Sequence, residues 1–369
     1  MTIERFLERA TPDWMHVEDA YSDIVISTRI RLARNLDGYR FPLAFSEDEA
    51  LQVEQAVTHA VQDSAKLGEM FSYFAIKDLS LLQRQILVEK HLISPQLASK
   101  EVVGSVLLSS DESISIMVNE EDHLRIQCMT ASFQLKKAYE QADKVDRALE
   151  VALPYAFRND FGYLTSCPTN IGTGLRASVM MHLPALTLTG QMNQIINAMT
   201  RLGMTVRGIY GEGSENLGNV YQVSNQITLG KTEDDILADI QSVAEKIIQK
   251  ERQARSKLMD KAGLALEDRI YRALGTLTYA RILTSEEAAT CLSNVRLGVD
   301  LQLVNHVTAA TLNECIVSMQ PGFLQHYAGE ALQPTERDRV RAKMLRETLS
   351  EEKMSKSTIR GKGEDLYDV

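Results

Sequence analysis

Across residues 24–32 the chain alternates with a period of two: Ile24, Ile26, Thr28, Ile30 and Leu32 take one side, and Val25, Ser27, Arg29 and Arg31 the other. An extended strand is the structure that separates such a pattern onto two faces. One apolar face and one cationic face require a sheet packed on a core from one side only. Arg29 and Arg31 then project the same way, about 7 Å apart. The fold must therefore tolerate, or use, a concentration of positive charge on the open face.

The neighbouring segments place this strand in an α+β context. Apolar spacing such as Leu51, Val53, Val57 and Val61 predicts helices over residues 47–67 and 79–91. Short apolar runs at 102–108, 113–118 and 124–129, separated by Ser109-Ser110-Asp111 and Asn119-Glu120-Glu121-Asp122, predict an antiparallel meander. A helix over 134–149, extended chain at 163–166 and 176–183, a helix over 188–202 and strands at 205–210 and 220–228 follow. The last two flank a glycine-rich loop, residues 211–218. After Gly230 the pattern turns helical, with Thr232 as N-cap, Asp235 in the first turn and a stripe of Ile236, Ile240, Val243 and Ile247. The charged stretch 250–257 is expected to link to a second, all-α domain. These readings divide the chain into a short extension (1–22), an α+β domain (23–253), a helical domain (254–349) and a mobile tail (350–369), consistent with 369 residues at 41.3 kDa.

With 50 acidic against 40 basic residues, the net charge of -10 disfavours binding of nucleic acid or anionic membrane by overall charge. No apolar run is long enough to span a bilayer and the first ten residues lack a signal-peptide pattern, so a cytoplasmic location is expected. Cys128, Cys167, Cys291 and Cys315 are scattered without a CxxC. That argues against a zinc site or disulfide framework, and no dedicated metal cluster is expected. Three read as buried small hydrophobes; Cys167 stands apart by its context.

The arginines Arg29, Arg31, Arg125, Arg176 and Arg207 all fall in or at the start of predicted strands. Arginine offers a rigid fork of donors at every accessible pH, so several on one sheet surface suit a polyphosphate, whereas each alone reads as solvated or ion-paired. No GxxxxGK[ST] loop, strand-linked GxGxxG, HRD or DFG element is present. Asn170-Ile171-Gly172-Thr173-Gly174 and Gly211-Glu212-Gly213 offer backbone N–H groups to phosphates or simply make tight turns.

Four ordered strings carry a resemblance: Ser27-Thr28-Arg29-Ile30-Arg31; Asn119-Glu120-Glu121-Asp122-His123-Leu124-Arg125; Cys167-Pro168-Thr169-Asn170-Ile171-Gly172-Thr173-Gly174-Leu175-Arg176-Ala177-Ser178; and Arg207-Gly208-Ile209-Tyr210-Gly211-Glu212. From about residue 23 to 251 the chain resembles the phosphagen (guanidino) kinase catalytic domain. It departs from the metabolic creatine and arginine kinases in having only about 22 residues ahead of that unit, and a helical region containing Arg337-Asp338-Arg339-Val340-Arg341-Ala342 after it. In this it resembles the bacterial protein arginine kinases.

The resemblance implies an α+β fold with a largely antiparallel sheet flanked by helices, followed by an all-α domain. It implies transfer of the γ-phosphoryl group of ATP, with Mg²⁺, to arginine side chains of proteins. Glu121 and Glu212 would hold the guanidinium and Cys167 would sit beside it. Ser27, Thr28, Arg29, Ile30, Arg31, His91, Arg125, Arg176, Ala177, Ser178, Val179, Met180, Arg207, Gly208, Ile209, Tyr210, Gly211 and Glu212 would line the nucleotide. Arg337, Asp338 and Arg341 would form an allosteric phosphoarginine site, although by themselves they read as a solvated helix face. Implied partners are protein substrates including a transcriptional repressor, a zinc-binding activator, Clp protease machinery in the stress response, and further copies in a homodimer or larger homo-oligomer; neither nucleic acid nor membrane is expected. A kinase for free arginine or another small guanidino compound, and a non-catalytic client adaptor, are the alternatives.

Overall fold

A computed structural model of the chain describes residues 1–12, 15, 19–100, 103–208 and 218–361, with side chains through 350. The elements begin with α1 (Glu4–Leu7), β1 (Val25–Arg34), α2 (Glu47–Gln62), β2 (Phe71–Ala75), α3 (Leu81–Glu89) and α4 (Pro95–Ala98). Next come β3 (Ser105–Ser109), β4 (Ile114–Val118), β5 (Leu124–Ala131), α5 (Leu135–Glu150), β6 (Phe157–Arg158) and β7 (Gly162–Tyr163). They continue with β8 (Leu175–His182), α6 (Pro184–Leu188), α7 (Met192–Arg201), β9 (Met204–Gly208) and β10 (Val220–Asn225). The helices α8 (Glu233–Tyr279), α9 (Ser285–Asp300), α10 (Ala309–Ser318), α11 (Pro321–Ala328) and α12 (Pro334–Gly361) follow.

Two compact units result. The first comprises Met1–Met181, Gln191–Arg207 and Tyr221–Lys250; the second comprises His182–Gly190, Gly208–Val220 and Glu251–Val369. The first is built on an eight-stranded sheet of order β2-β3-β4-β5-β1-β8-β10-β9. The meander β3-β4-β5 pairs antiparallel as its alternation predicts, and β1 lies between β5 and β8, antiparallel to both. Strand β2, at the sheet edge, is an addition to the sequence reading.

Register decides which side chains share a face. Arg31 stands opposite Gln127 on β5 and Arg176 on β8, and Arg29 opposite Met129 and Ser178. Arg125, two residues before Gln127, projects the same way. The reverse face carries Thr28, Ile30, Leu32 and Arg34, and α5 covers it. That helix buries Leu135, Ala138, Ala142, Val145 and Leu149. Each buried Leu or Val contributes about 1.5–3 kcal/mol relative to exposure.

Local chemistry sets several boundaries. Ser46 with Glu49, and Ser80 with Gln83, form reciprocal capping boxes that start α2 and α3. The single helix expected over 188–202 is instead α6 and α7, because Gly190 at φ 70° lies between them in a conformation no helix continues through. Thr232 and Asp235 exchange bonds at the start of α8, with Asp235 N–H donating to Thr232 Oγ1 at 3.2 Å and Thr232 N–H to Asp235 Oδ2 at 3.2 Å. The charged stretch 250–257 is helix throughout; the departure from helical geometry in α8 comes later, at Ala262 (φ -144°, ψ 31°). The second unit packs Ile270, Leu277, Leu292, Val295, Leu312 and Leu345 into its own core. Its last helix continues beyond residue 350, where the sequence suggests a mobile tail, to Gly361.

Candidate active site

Five arginines from four strands come together on the sheet face opposite α5 in the first unit. Arg31, Arg125 and Arg176 line one small pocket with Ala33, Glu121, Asn170 and Gly174. The guanidinium of Arg31 is held well below its ordinary pKa by burial, then by Arg29, Arg125 and Arg176. That of Arg176 is lowered by burial, then by Arg207 and Arg125. Two unit charges 7 Å apart at a partly buried surface repel by about 2 kcal/mol, so such a cluster persists because the β ladder fixes it.

Compensation is partial. Arg125 donates from Nη1 to Glu120 Oε1 and from Nη2 to Glu121 Oε2, both at 2.7 Å. Arg29 Nη2 donates to the neutral Gln222 Oε1 at 2.6 Å. Among the described residues Arg31, Arg176 and Arg207 make no ion pair, and the buried Nε of Arg31 has no hydrogen-bond partner. This face is thus prepared for an anion with several oxygens.

His91 joins the same surface. It follows α3 in left-handed backbone at φ 59°, and its carbonyl accepts from Gln127 Nε2 at 2.7 Å. Burial, then Arg29 and Arg31, pull its pKa down to about 3, so the ring is neutral.

The turn after β4 delivers the carboxylates. Asn119, at φ 57°, donates its backbone N–H to the His123 carbonyl and its Nδ2 to the Ala50 carbonyl. Asp122 Oδ1 accepts from Asn35 Nδ2 and Ser166 N–H, both at 2.6 Å. Glu120 is 1% exposed: its Oε1 accepts from Arg125 and from Ser94 Oγ at 2.5 Å, and its Oε2 from the Glu121 N–H at 2.8 Å. Glu121, with its side chain 31% exposed, faces the pocket.

Cys167, three residues before Asn170 of the pocket lining, is half-buried with Sγ 3.0 Å from Thr169 Oγ1. The following loop is held from beneath: Arg34 bonds Asp146 at 2.6 Å, donates to the Thr173 carbonyl and stacks 3.6 Å from the Tyr163 ring centroid. Gly174, at φ 63°, admits no side chain there, since a Cβ would stand 2.5 Å from Arg34 Nη1 and 2.6 Å from the Ala33 carbonyl oxygen.

Not every residue expected at the nucleotide reaches this face with its side chain. Thr28, Ile30, Ala177 and Val179 project to the opposite face, where each is 0% exposed. Alternation along a strand is the reason, and it leaves these four only their backbone to offer. Ser27 and Met180 are buried against each other, Ser27 Oγ donating to Met180 Sδ, and Ser178 Oγ donates to the Arg29 carbonyl at 3.3 Å. Gly208 ends β9. Ile209, Tyr210, Gly211 and Glu212 lie outside the described residues.

Residues 52–254 match the ATP:guanido phosphotransferase C-terminal catalytic domain, and residues 263–359 match the protein-arginine kinase McsB C-terminal domain. The protein-arginine kinase of Geobacillus thermodenitrificans (strain NG80-2) is 51% identical over 358 residues, 96% of this chain and 98% of that one. The chain belongs to the protein-arginine kinase family. Another member, from Halalkalibacterium halodurans, is 51% identical over 349 residues, covering 95% and 98% of the two chains.

Beyond the protein-arginine kinases, lombricine kinase shares the fold at a TM-score of 0.57 and 24% identity, over 68% of this chain and 71% of that one. The duplicated taurocyamine kinase from Schistosoma mansoni, solved with bound transition-state-analogue components, gives 0.58 at 25% identity. It matches over 66% of this chain, which spans 35% of that longer one.

Sequence reading of this protein-arginine kinase family member passed over Glu120, Gln222, Arg34 and Asn35. Glu120 stands beside Glu121 in the quoted string, but nothing local says which of two adjacent carboxylates is buried. Gln222 acquires its part only through pairing across the sheet.

Proposed function

We propose that this chain transfers the γ-phosphoryl group of ATP to the guanidino group of arginine side chains in proteins. The observation that carries the reading is the convergence of Arg29, Arg31, Arg125, Arg176 and Arg207 on one sheet face with Glu121 at the pocket wall. The arginines hold the triphosphate and offset charge on the group in flight; such transfer depends on alignment and electrostatics. Neutral His91 borders the nucleotide.

A guanidinium is protonated at physiological pH and its nitrogens are poor nucleophiles. Glu121 and Glu212 grip it, fix one nitrogen in line with the γ-phosphorus, and Glu121 takes the proton as the N–P bond forms and the bond to the β–γ bridging oxygen breaks, releasing ADP. Arg125, paired with Glu121 in this structure, passes to the phosphates when the acceptor guanidinium takes its place. Cys167 contacts the acceptor without a covalent intermediate. Mg²⁺ would come with the nucleotide and would offset phosphate charge, since this ion generally takes water and phosphate oxygens as ligands.

Support for a protein acceptor comes from the match of residues 263–359 and from the names of the curated relatives. In the same reading α12 recognises phosphoarginine and relays its presence to the active site. Arg341 is 3% exposed and spends its donors on the Leu283 and Met319 carbonyls and, at 2.5 Å, on Asp338, so it frames the site while half-exposed Arg337 meets the phosphate. A repressor among the substrates, a zinc-binding activator, Clp protease machinery and further copies of the chain are the partners assigned by this reading.

The test is incubation with MgATP and an arginine-rich protein, or free arginine, followed by mass spectrometry under non-acidic conditions that spare the P–N bond. Protein-linked phosphoarginine is expected. Glu121→Gln should lower its formation by about 10²-fold or more while leaving nucleotide affinity nearly unchanged. Wild-type turnover in that variant would overturn the mechanism, and label on free arginine alone would favour a small-molecule kinase.

A further inference from the structure

Loop 166–174, which carries Cys167 and brings Asn170 and Gly174 to the pocket, is held from two sides within the first unit. On one side stands the β6–β7 hairpin. Tyr163 N–H donates to the Gly172 carbonyl at 2.8 Å, and a Cβ on Gly162 would stand 2.5 Å from that carbonyl oxygen. The chain leaving the hairpin is fixed beside the turn that carries Glu121, because the Leu164 carbonyl accepts from Asn35 Nδ2 at 3.1 Å and Ser166 N–H donates to Asp122. On the other side runs the segment between β10 and α8. Thr228 Oγ1 donates to the Thr169 and Ile171 carbonyls at 2.9 and 2.7 Å, and a Cβ on Gly172 would stand 2.9 Å from Leu229 Cα.

Both sides end in exposed apolar side chains. Phe157 and Phe161 of the hairpin, and Ile227 and Leu229 flanking Thr228, are from 45% to 53% exposed. Ile171, on the loop that both sides hold, is half-buried. Single exposed apolar residues need no explanation, but several gathered around one loop at a pocket mark a surface that something covers. The two aromatic rings are also held in place. Phe157 packs edge-on against Tyr163 with centroids 5.2 Å apart, and Tyr163 is itself stacked on Arg34. Arg158, paired with Asp160 at 2.9 Å, lies 5.3 Å from the Phe161 ring centroid. Rings already ordered lose little freedom on binding. The charges of Arg158 and Asp160 cancel, so this rim attracts by apolar area rather than by field.

We infer that the rim is a specificity surface for the acceptor polypeptide: Phe157, Phe161, Ile227 and Leu229 bind large apolar side chains that flank the target arginine. The assignment rests on the functional reading above and on its described acceptor contacts, Glu121 and Cys167. Continuity with the pocket identifies the occupant. Ile171 adjoins Asn170 of the pocket lining. An extended chain advances about 3.3 Å per residue, so a polypeptide with its arginine at Glu121 brings residues roughly two to four positions away over the rim. Free arginine has no such neighbours and leaves the rim bare.

Two short unstructured polypeptides with a single arginine, alike except for leucine or glutamine on either side of it, test the assignment. With MgATP, and phosphoarginine read by mass spectrometry under non-acidic conditions, kcat/KM should favour the leucine polypeptide by about tenfold, the scale of burying one large apolar side chain. Phe161→Ser combined with Leu229→Ser should reduce that preference to about twofold or less. Phe161→Leu combined with Leu229→Met should retain it, and the MgADP dissociation constant from calorimetry should be unchanged in both. Phe157→Ser with Ile227→Ser, drawn from the same two sides, carries the same prediction should the first serine pair fail to fold. Equal labelling of the two polypeptides by the wild type would overturn the assignment. So would a preference that survives the serine variants, including the case in which those variants fall in mass on sedimentation, which makes the rim an interface between copies of the chain. Label on an arginine-rich protein but on neither polypeptide also overturns the rim, whereas label on none of the three overturns the functional reading itself.

Discussion

The two units use arginine in opposite ways. In the helical unit three buried guanidinium groups are neutralised: Arg255 by Glu251 and Asp300, Arg296 by Asp300, Arg341 by Asp338. On the open face of the sheet unit Glu120 and Glu121 both serve Arg125, leaving Arg31, Arg176 and Arg207 to raise the local potential. A complete buried ion pair offsets much of its desolvation cost, whereas removing one partner leaves the other charge buried and uncompensated. A cluster of like charges is destabilising until a ligand arrives. The difference separates arginines that hold structure from arginines left without a counter-charge, and it does so without reference to any relative.

The comparison breaks most readily at the helical pair. Arg255→Met leaves Glu251 and Asp300 desolvated, and chemical denaturation should record a loss of about 3–5 kcal/mol. A loss below about 1 kcal/mol, the scale of an exposed pair, would place this network with ordinary surface charges.

The mirror experiment is Arg31→Met. Removing one cation from the cluster should leave the ligand-free protein at least as stable as before, while nucleotide binding weakens by about 1.5–3 kcal/mol, the scale of a charge-assisted bond. Calorimetry with MgADP and thermal melts of the same sample measure both. A destabilised apoprotein with intact nucleotide binding would make Arg31 structural.

A smaller effect sharpens the contrast through pH. His91 and His182 both have depressed folded pKa values, from 6.5 to about 3 for His91, so the unfolded chain binds more protons below pH 6.5. Stability should be complete above that pH and fall as it drops, by roughly 2 kcal/mol at most per histidine between pH 7 and 5. His91→Asn, which tolerates the positive φ, should remove one share. Saturating nucleotide should diminish the same share, since phosphates offset the arginines facing His91, and leave the His182 share intact. A slope unaffected by His91→Asn would contradict the burial of that ring among cations.

Much of the site was legible in one dimension. The period-two pattern over residues 24–32 and the order of the four strings place Arg29, Arg31, Arg125 and Arg176 in strands, which the register joins in one sheet, while Glu121 falls in the turn between β4 and β5. The meander and the paired faces of β1 follow from spacing alone. Half of every strand points away, however, so the side chains of Thr28, Ile30, Ala177 and Val179 are core and these residues have only backbone to offer on the arginine face. Arg34, five residues after Arg29, lies on that far face and is buried on Asp146 and Tyr163. Its sequence surroundings do not distinguish it from its neighbours.

Periodicity, turn residues and charge are local quantities, so the sequence by itself determined the strands, most helices and the concentration of arginine on one strand face. Tertiary structure alone decided which arginines are left uncompensated, that Glu120 is the buried carboxylate and Glu121 the accessible one, and that residues 182–190 and 218–220 join the helical unit. Those outcomes depend on partners from 4 to 193 positions away in the chain, as with Arg125 to Glu121 and Arg29 to Gln222. Desolvation and hydrogen bonding act across space, and for the distant partners no local pattern encodes who the neighbour will be.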